Sequence, residues 1–230
     1  YGILSKSKKI VYAPFSSWKS IELKTIIEDY TNIKTYVENE ANISALGESM
    51  IYYNQKNLIS LNIGLGVGMG IIIDKQLYTG ENGYAGEIGH TILIPNGKKC
   101  VCGNKGCLEK YISDVAIIEK YKELTNDQIN IEEFISRLKS KDKNAIEIYK
   151  EFIDHLSITI NNISQSFNPQ IIVIKNKLIE NTPESISQIK NSLRSRVMSL
   201  EILTTSEFKS KTNVLGLTYV LIQEFLKLDD

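Results

Sequence analysis

From Gly83 to Glu109 the chain runs GYAGEIGHTILIPNGKKCVCGNKGCLE, a stretch that carries all three of its cysteines and one of its two histidines. Cys100, Cys102 and Cys107 are separated by glycines and polar residues, not by an apolar repeat. His90 stands just upstream in GEIGH. Three thiols and an imidazole form a closed Cys3His set, the ligand number of a structural zinc site. A disulfide framework would leave one thiol over, and a single Val101 between Cys100 and Cys102 is a poor spacing for a bridge. Buried structural cysteines usually lie in apolar runs, whereas these lie among Lys99, Gly103, Asn104, Lys105 and Gly106. The expectation is therefore zinc on His90, Cys100, Cys102 and Cys107. A fourth protein ligand leaves no open position for water, which argues against catalysis at the metal. Such a staple would hand Glu87, His90 and Glu109 to one place, where a ligand is to be sought.

Working outward, the pattern alternates strands and helices. KKIVYA at 8–13 reads as a strand and Ser20 to Tyr30 as an amphipathic helix. Residues 34–38, KTYVE, read as a second strand, with Asn39-Glu40 at its carboxyl end before a helical ANISALGESMIYYN. A polar pair at a strand-to-helix junction is a common place for ligand groups in α/β architecture. Residues 58–63 and 70–74 read as strands joined by Gly64-Leu65-Gly66-Val67-Gly68. That turn could cradle a phosphate, but it lacks a GK[ST] ending and opens no helix, so a hairpin is favoured. Ser113-Asp114 predicts an N-cap for VAIIEKYKEL, and IEEFISRL a further short helix. Ile146, Tyr149, Phe152, Ile153, Leu156, Ile160 and Ile163 share one face of a long helix ended by Asn168-Pro169. QIIVIK at 170–175 is a buried-type strand. A helix from Pro183 to Met198, a strand around Ile202 and a last helix from Val214 to Leu226 complete an α/β chain.

Composition narrows the class. The chain has 230 residues, 42% hydrophobic and 23% charged, with 27 basic and 27 acidic side chains. That balance is not the electrostatic footprint of a nucleic-acid-binding domain. No apolar run is long enough to span a bilayer. Thiols grouped for metal fit a reducing, cytoplasmic setting, so the Asn-Ile-Ser triplets at Asn42 and Asn162 read as chance. The chain opens on Tyr1 rather than Met, so an upstream segment is expected.

Taken in order, VENEANISALGE (37–48), GLGVGMGIII (64–73), YTGENGYAGEIGH (78–90), CVCGNKGCLEKYIS (100–113) and NVLGLTYVLIQEFL (213–226) resemble the ROK family of bacterial repressors and sugar kinases, nearly end to end. The resemblance is greatest to xylose-responsive repressors. It implies an actin/hexokinase-like (ribonuclease H-like) α/β fold, truncated. Residues 1–40 would end the first lobe. Residues 41–230 would form the second lobe with its zinc loop at 83–109, and the C-terminal helix would return toward the first lobe. The resemblance implies a sugar site of Asn39, Glu40, Glu87, His90 and Glu109, with Glu40 at the position of the kinase general base. The plainer reading of Glu87 and Glu109 is surface solvation. One His90 nitrogen on zinc would leave the other N–H as a donor to the sugar.

Departures from the kinase pattern shape the expected activity. Family kinases carry Asn-Asp where Asn39-Glu40 stand, a threonine where Leu65 stands, and a glycine pair where Lys175-Asn176 follow IIVI. An extra methylene displaces a carboxylate by about 1 Å, enough to cost about 10²-fold. The Asp-x-Gly-Gly-Thr phosphate loop is absent, in part through truncation. The expectation is a sugar-sensing effector domain with no catalytic residue. Its partners would be operator DNA, through an upstream winged helix-turn-helix, and a second copy in a homodimer. The alternatives are an ATP-dependent sugar kinase of glucokinase or N-acetylmannosamine kinase type, and a sensor acting through protein partners. His155, the second histidine, reads as structural or surface.

Overall fold

Twenty-five residues from Lys143 to Phe167 form the longest helix among the described residues, and its causes are local. Asp142 caps it by accepting the Ala145 N–H at 2.9 Å. Asn168 ends it in the left-handed region, with φ 44°. Between them Ile148, Phe152, Leu156, Ile160 and Ile163 are buried on one stripe. Burying each is worth roughly 1.5–3 kcal/mol. The stripe is rotated from the predicted one at its start, where Ile148 is buried and Ile146 is partly exposed.

The structure, a computed structural model, describes residues 2–13, 18, 20–52, 54–193, 195 and 200–226. Its strands are β1 (Ile3–Leu4), β2 (Ile10–Tyr12), β3 (Leu58–Ile63), β4 (Val67–Ile73), β5 (Gln76–Leu77), β6 (Ile171–Lys175) and β7 (Ile202–Thr205). Its helices are α1 (Leu23–Thr31), α2 (Glu40–Ile51), α3 (Glu109–Ile112), α4 (Asp114–Thr125), α5 (Ile131–Lys139), α6 (Lys143–Phe167), α7 (Lys177–Glu180), α8 (Glu184–Ser192) and α9 (Thr212–Leu226). A two-stranded sheet pairs β1 with β2, and a five-stranded sheet has the order β5-β4-β3-β6-β7. β6 and β7 run parallel, Ile171 opposite Ile202, while β4 and β5 run antiparallel, Ile72 opposite Leu77. The short link between the neighbours β3 and β4 makes the glycine-rich segment a hairpin turn.

Contacts divide the chain into two units, one of residues 1–60, 69–87 and 208–230, the other of residues 61–68 and 88–207. In the first, α2 and α9 pack backbone to backbone. A Cβ on Gly216 would stand 1.9 Å from the Ile43 carbonyl oxygen, and one on Gly47 2.2 Å from that of Thr212. Beside this crossing the buried Glu48 carboxylate accepts the Thr212 hydroxyl at 3.2 Å. In the second unit α3, α4, α5 and α8 gather around α6. Their core holds Tyr121 edge-on to Phe134, with ring centroids 5.8 Å apart. Asn130 and Glu133 form a reciprocal capping box that opens α5.

Two expectations change. Residues 34–38 are not a strand: among the described residues no strand pairs with them. The Thr35 N–H donates instead to Glu28 Oε1 at 2.7 Å, and Lys34 pairs with Glu224 of α9. Strand propensity needs a partner before it becomes a strand. The helix expected from Pro183 to Met198 is seen over Glu184–Ser192, and most of its remainder lies outside the described residues. No helix among the described residues is long and apolar enough to cross a membrane.

Candidate functional site

In the second unit the segment from His90 to Cys107 folds back on itself through two isolated β-bridges, Ile92 opposite Cys107 and Lys99 opposite Lys105. The Leu93 N–H donates to the Gly106 carbonyl at 2.8 Å and the Gly106 N–H to that of Lys98 at 2.7 Å. Closure of this ribbon brings four donors together. One ring nitrogen of His90 and the Sγ atoms of Cys100, Cys102 and Cys107 all lie within 4.8 Å of one another. Cys100 Sγ stands 3.6 Å from His90 Nδ1, and Cys102 Sγ 3.6 Å from Cys107 Sγ. Donors on a tetrahedral zinc with bonds of about 2.0–2.3 Å sit roughly 3.4–3.8 Å apart. The donor set therefore fits a metal in number, chemical type and spacing. None of the three cysteines is in a disulfide.

The thiols differ in their protonation. Burial, reinforced by the Cys100 and Cys102 thiols, pushes Cys107 up to about 12. Burial also acts to raise Cys102, but hydrogen bonds from the Asn104 backbone, Cys100 and Cys107 hold it below its usual value. A cation placed among the sulfurs would favour the Cys107 thiolate, which burial otherwise disfavours.

Glu109 is buried on the first turn of α3, two residues after the last thiol, and its Oε2 accepts the Val67 N–H at 3.3 Å. The surface-solvation reading of this carboxylate does not hold. His155 is structural, as expected: its ring stands edge-on to Tyr111 at 5.5 Å, and burial lowers its pKa.

The other sequence-predicted residues lie in the first unit. Asn39 is the N-cap of α2, its Oδ1 accepting the Ala41 N–H at 2.8 Å. Glu40 is exposed, and its Oε1 accepts from Asn213 Nδ2 of α9 at 3.1 Å. Glu87 is partly buried at the end of a segment clipped to β4 by the Met69 N–H on the Gly86 carbonyl, at 2.9 Å.

At the carboxyl ends of β3 and β6 in the second unit, Asn176 is 2% exposed and every polar atom of its side chain is engaged. Its Nδ2 donates to the Ile63 carbonyl at 3.1 Å and to Asp114 Oδ1 at 3.3 Å, while its Oδ1 accepts the Ile179 N–H at 3.0 Å. The Asp114 N–H donates to the Gly64 carbonyl at 2.8 Å. Burial raises the Asp114 carboxyl to about 6, against the lowering effect of Asn176. Sequence reasoning singled out Asn176 as a departure from a family pattern but gave no sign of its link to Asp114, which is 62 positions away.

The Xylose repressor of Bacillus spizizenii is 35% identical over 99% of this chain, which spans only 60% of that protein's length. The Glucokinase of Halalkalibacterium halodurans is 33% identical over 72% of this chain and 55% of its own. A ROK family glucokinase from Streptomyces griseus, solved with glucose and AMPPNP, superposes with a TM-score of 0.87 at 22% identity, covering 95% of this chain and 78% of its own. That superposition shows the α/β fold of ROK sugar kinases. The family model described as ROK family matches residues 1–224, and the chain belongs to the ROK family.

Proposed function

We propose that this chain is the sugar-sensing effector domain of a ROK transcriptional repressor responding to a xylose-like sugar, and that it does not phosphorylate it. The observation that carries the reading is Asn176. The family resemblance puts a glycine pair at Lys175-Asn176 in the kinases, beside the nucleotide. Here a buried amide fills that position and spends its hydrogen bonds on Ile63, Asp114 and Ile179. Close backbone approach to a phosphate or base is the use of glycine at such places. Two further features point the same way. Leu65, 70% exposed, presents hydrocarbon where kinases carry a threonine. Glu40, at the general-base position, is hydrogen-bonded to Asn213.

By the family resemblance, the sugar contacts would be Asn39, Glu40, Glu87, His90 and Glu109. A sugar offers vicinal hydroxyls, which carboxylates accept and an amide can both accept and donate. With Asn39 Oδ1 committed to its cap, a hydroxyl would meet the amide N–H donors. With Nδ1 of His90 facing the thiols, Nε2–H is the donor left for sugar. Zinc is the metal that this ligand set selects, and it would supply a fixed charge and a rigid loop rather than a reactive water. Retention of three thiolates requires a reducing compartment, in keeping with the cytoplasm.

In the longer protein, operator DNA would be held by an upstream winged helix-turn-helix and two copies would pair. Sugar would then act by shifting the population between DNA-binding and released forms. A kinase is the second reading, favoured by the glucokinase identity over 72% of the chain. Isothermal titration of the intact protein with xylose, glucose and ATP separates them. The repressor reading expects sugar binding without ATP binding, and sugar phosphorylation with magnesium-ATP at an ordinary enzymatic rate sinks it.

A further inference from the structure

The metal loop is gripped from outside its ligand set by one phenol. Tyr111 sits on α3, two residues beyond Glu109 and four beyond Cys107. Its hydroxyl oxygen accepts the Lys98 N–H at 2.8 Å. Lys98 lies two residues before Cys100, and its carbonyl accepts the Gly106 N–H at 2.7 Å, immediately before Cys107. Lys98 is therefore held from both sides: its N–H donates to the phenol on α3, and its carbonyl accepts from the amide of the returning arm of the loop. The approach is close. A Cβ on Gly97 would fall 2.0 Å from the Tyr111 hydroxyl oxygen and 3.2 Å from its ring carbon. Gly97 is thus the residue whose missing side chain lets the phenol reach the backbone. The Tyr111 ring is itself held edge-on by His155 of α6, with centroids 5.5 Å apart and planes at 74°. Burial keeps that imidazole on the neutral side of its usual range.

We infer that Tyr111 is a positioning residue for the metal centre: it fixes the arm bearing Cys100 against the helix bearing Glu109, so that the thiols converge before metal arrives. The inference rests on the proposed zinc reading of the loop. A ligand arm held in place loses less conformational freedom on binding, and polar partners outside the ligand set commonly tune affinity by 10- to 100-fold. In the hydrogen bonds described above, the Tyr111 hydroxyl touches none of the four candidate metal-ligand atoms. That hydroxyl acts on the loop through the Lys98 N–H.

The test uses the whole chain, with zinc as the probe. Tyr111→Phe keeps the ring and its contact with His155 and removes only the oxygen. It is expected to weaken zinc binding roughly 10-fold in chelator competition, the scale for a partner outside the ligand set. The absorption of the cobalt-substituted centre should broaden, while the thermal midpoint of the metal-free chain stays put. Gly97→Ala should weaken zinc similarly by displacing the phenol. The double variant should be no weaker than either alone, because the two act through one contact. Equal zinc affinity in Tyr111→Phe, or a loss matched by an equal fall in metal-free stability, overturns the inference. A parent chain that takes up no zinc overturns the metal reading, and the inference with it. A parent that binds zinc while the variants bind equally well overturns the inference alone.

Discussion

Replacing Asp114 with Asn should stabilise this protein at neutral pH and do progressively less for it in acid. The Asp114 carboxyl is lifted from an ordinary 3.8 to about 6, chiefly by burial. A shift of that size corresponds to about 3 kcal/mol at full ionisation. The raised pKa means that the folded chain binds the proton more tightly than the unfolded chain does. Stability therefore falls as pH rises through the window between 3.8 and about 6, and the full penalty persists above it. Asn cannot ionise, so it escapes that penalty. It also forfeits the favourable charge at the start of α4, worth about 0.3–1 kcal/mol. The net gain should be about 2 kcal/mol at pH 7.5, with little or none at pH 4. Asn can still accept from Asn176 Nδ2 through its amide oxygen, so the contact that Asp114 makes at 3.3 Å need not be lost.

Urea unfolding of parent and variant, followed by circular dichroism at matched pH values from 4 to 7.5, measures this directly. Subtracting parent from variant cancels every other carboxylate that titrates in the window. An unchanged urea slope would show that the two unfolded states are alike. A gap of the same size at pH 4.5 and 7.5 would refute the reasoning, because a penalty from burying a charge must vanish with the charge. A variant less stable at pH 7.5 would show that the Asp114 charge is supported rather than strained.

Other perturbations have equally definite outcomes. The chain should bind one zinc, and Cys107→Ser should abolish it; free zinc at 100 times its dissociation constant adds about 2.7 kcal/mol, a rise of roughly 5–10 °C in melting midpoint read with and without chelator. Zinc affinity should weaken at least tenfold per unit fall in pH between 8 and 6, since Cys107, at about 12, must lose a proton to bind; a pH-independent dissociation constant would contradict it. Gly216→Ala should cost about 1–3 kcal/mol, because the added carbon meets the Ile43 carbonyl at 1.9 Å and must push α9 from α2, a loss that chemical unfolding would measure.

How much of this was legible in the sequence depended on how far apart the cooperating residues lie. The metal set could be read because His90 and the three cysteines fall within one loop and have a chemistry that few other arrangements explain. α6 could be read because its apolar residues recur every three or four positions, a local signal. Residues 34–38 looked like a strand and are not, because a strand exists only with its neighbour. β5 escaped notice for the opposite reason. Its turn, Asp74-Lys75, takes positive φ at both residues without the glycine that normally announces such a turn. Asn176 was visible as an unexpected residue, but its partners at Ile63 and Asp114 come from distant parts of the chain. Tyr111 carried no signal at all, since a phenol bonded to a backbone N–H leaves no pattern in the sequence.

The proximity of Cys107 and Glu109 has a consequence for how metal and sugar would be coupled. Between them lies only Leu108, fully buried, whose N–H donates to the Thr91 carbonyl at 2.8 Å. Thr91 in turn follows His90, the first residue of the candidate metal set. The two ends of the loop are thus zipped together at the point where α3 begins, and Glu109 reaches the Val67 N–H from there. A metal that ties His90 to Cys107 closes the same zip a second time. Loss of the metal would leave the zip to its hydrogen bonds and give the Glu109 carboxylate more room to shift. Misplacement of a recognition group by about 1 Å can cost about 10²-fold in catalysis, and a binding site built on the same carboxylate should be sensitive in the same sense. On the proposed reading zinc and sugar bind with positive coupling, and by linkage sugar must then tighten zinc by the same factor. That reciprocity distinguishes a metal that braces recognition from one that merely stabilises the fold, which would raise the melting midpoint and leave the sugar affinity unchanged.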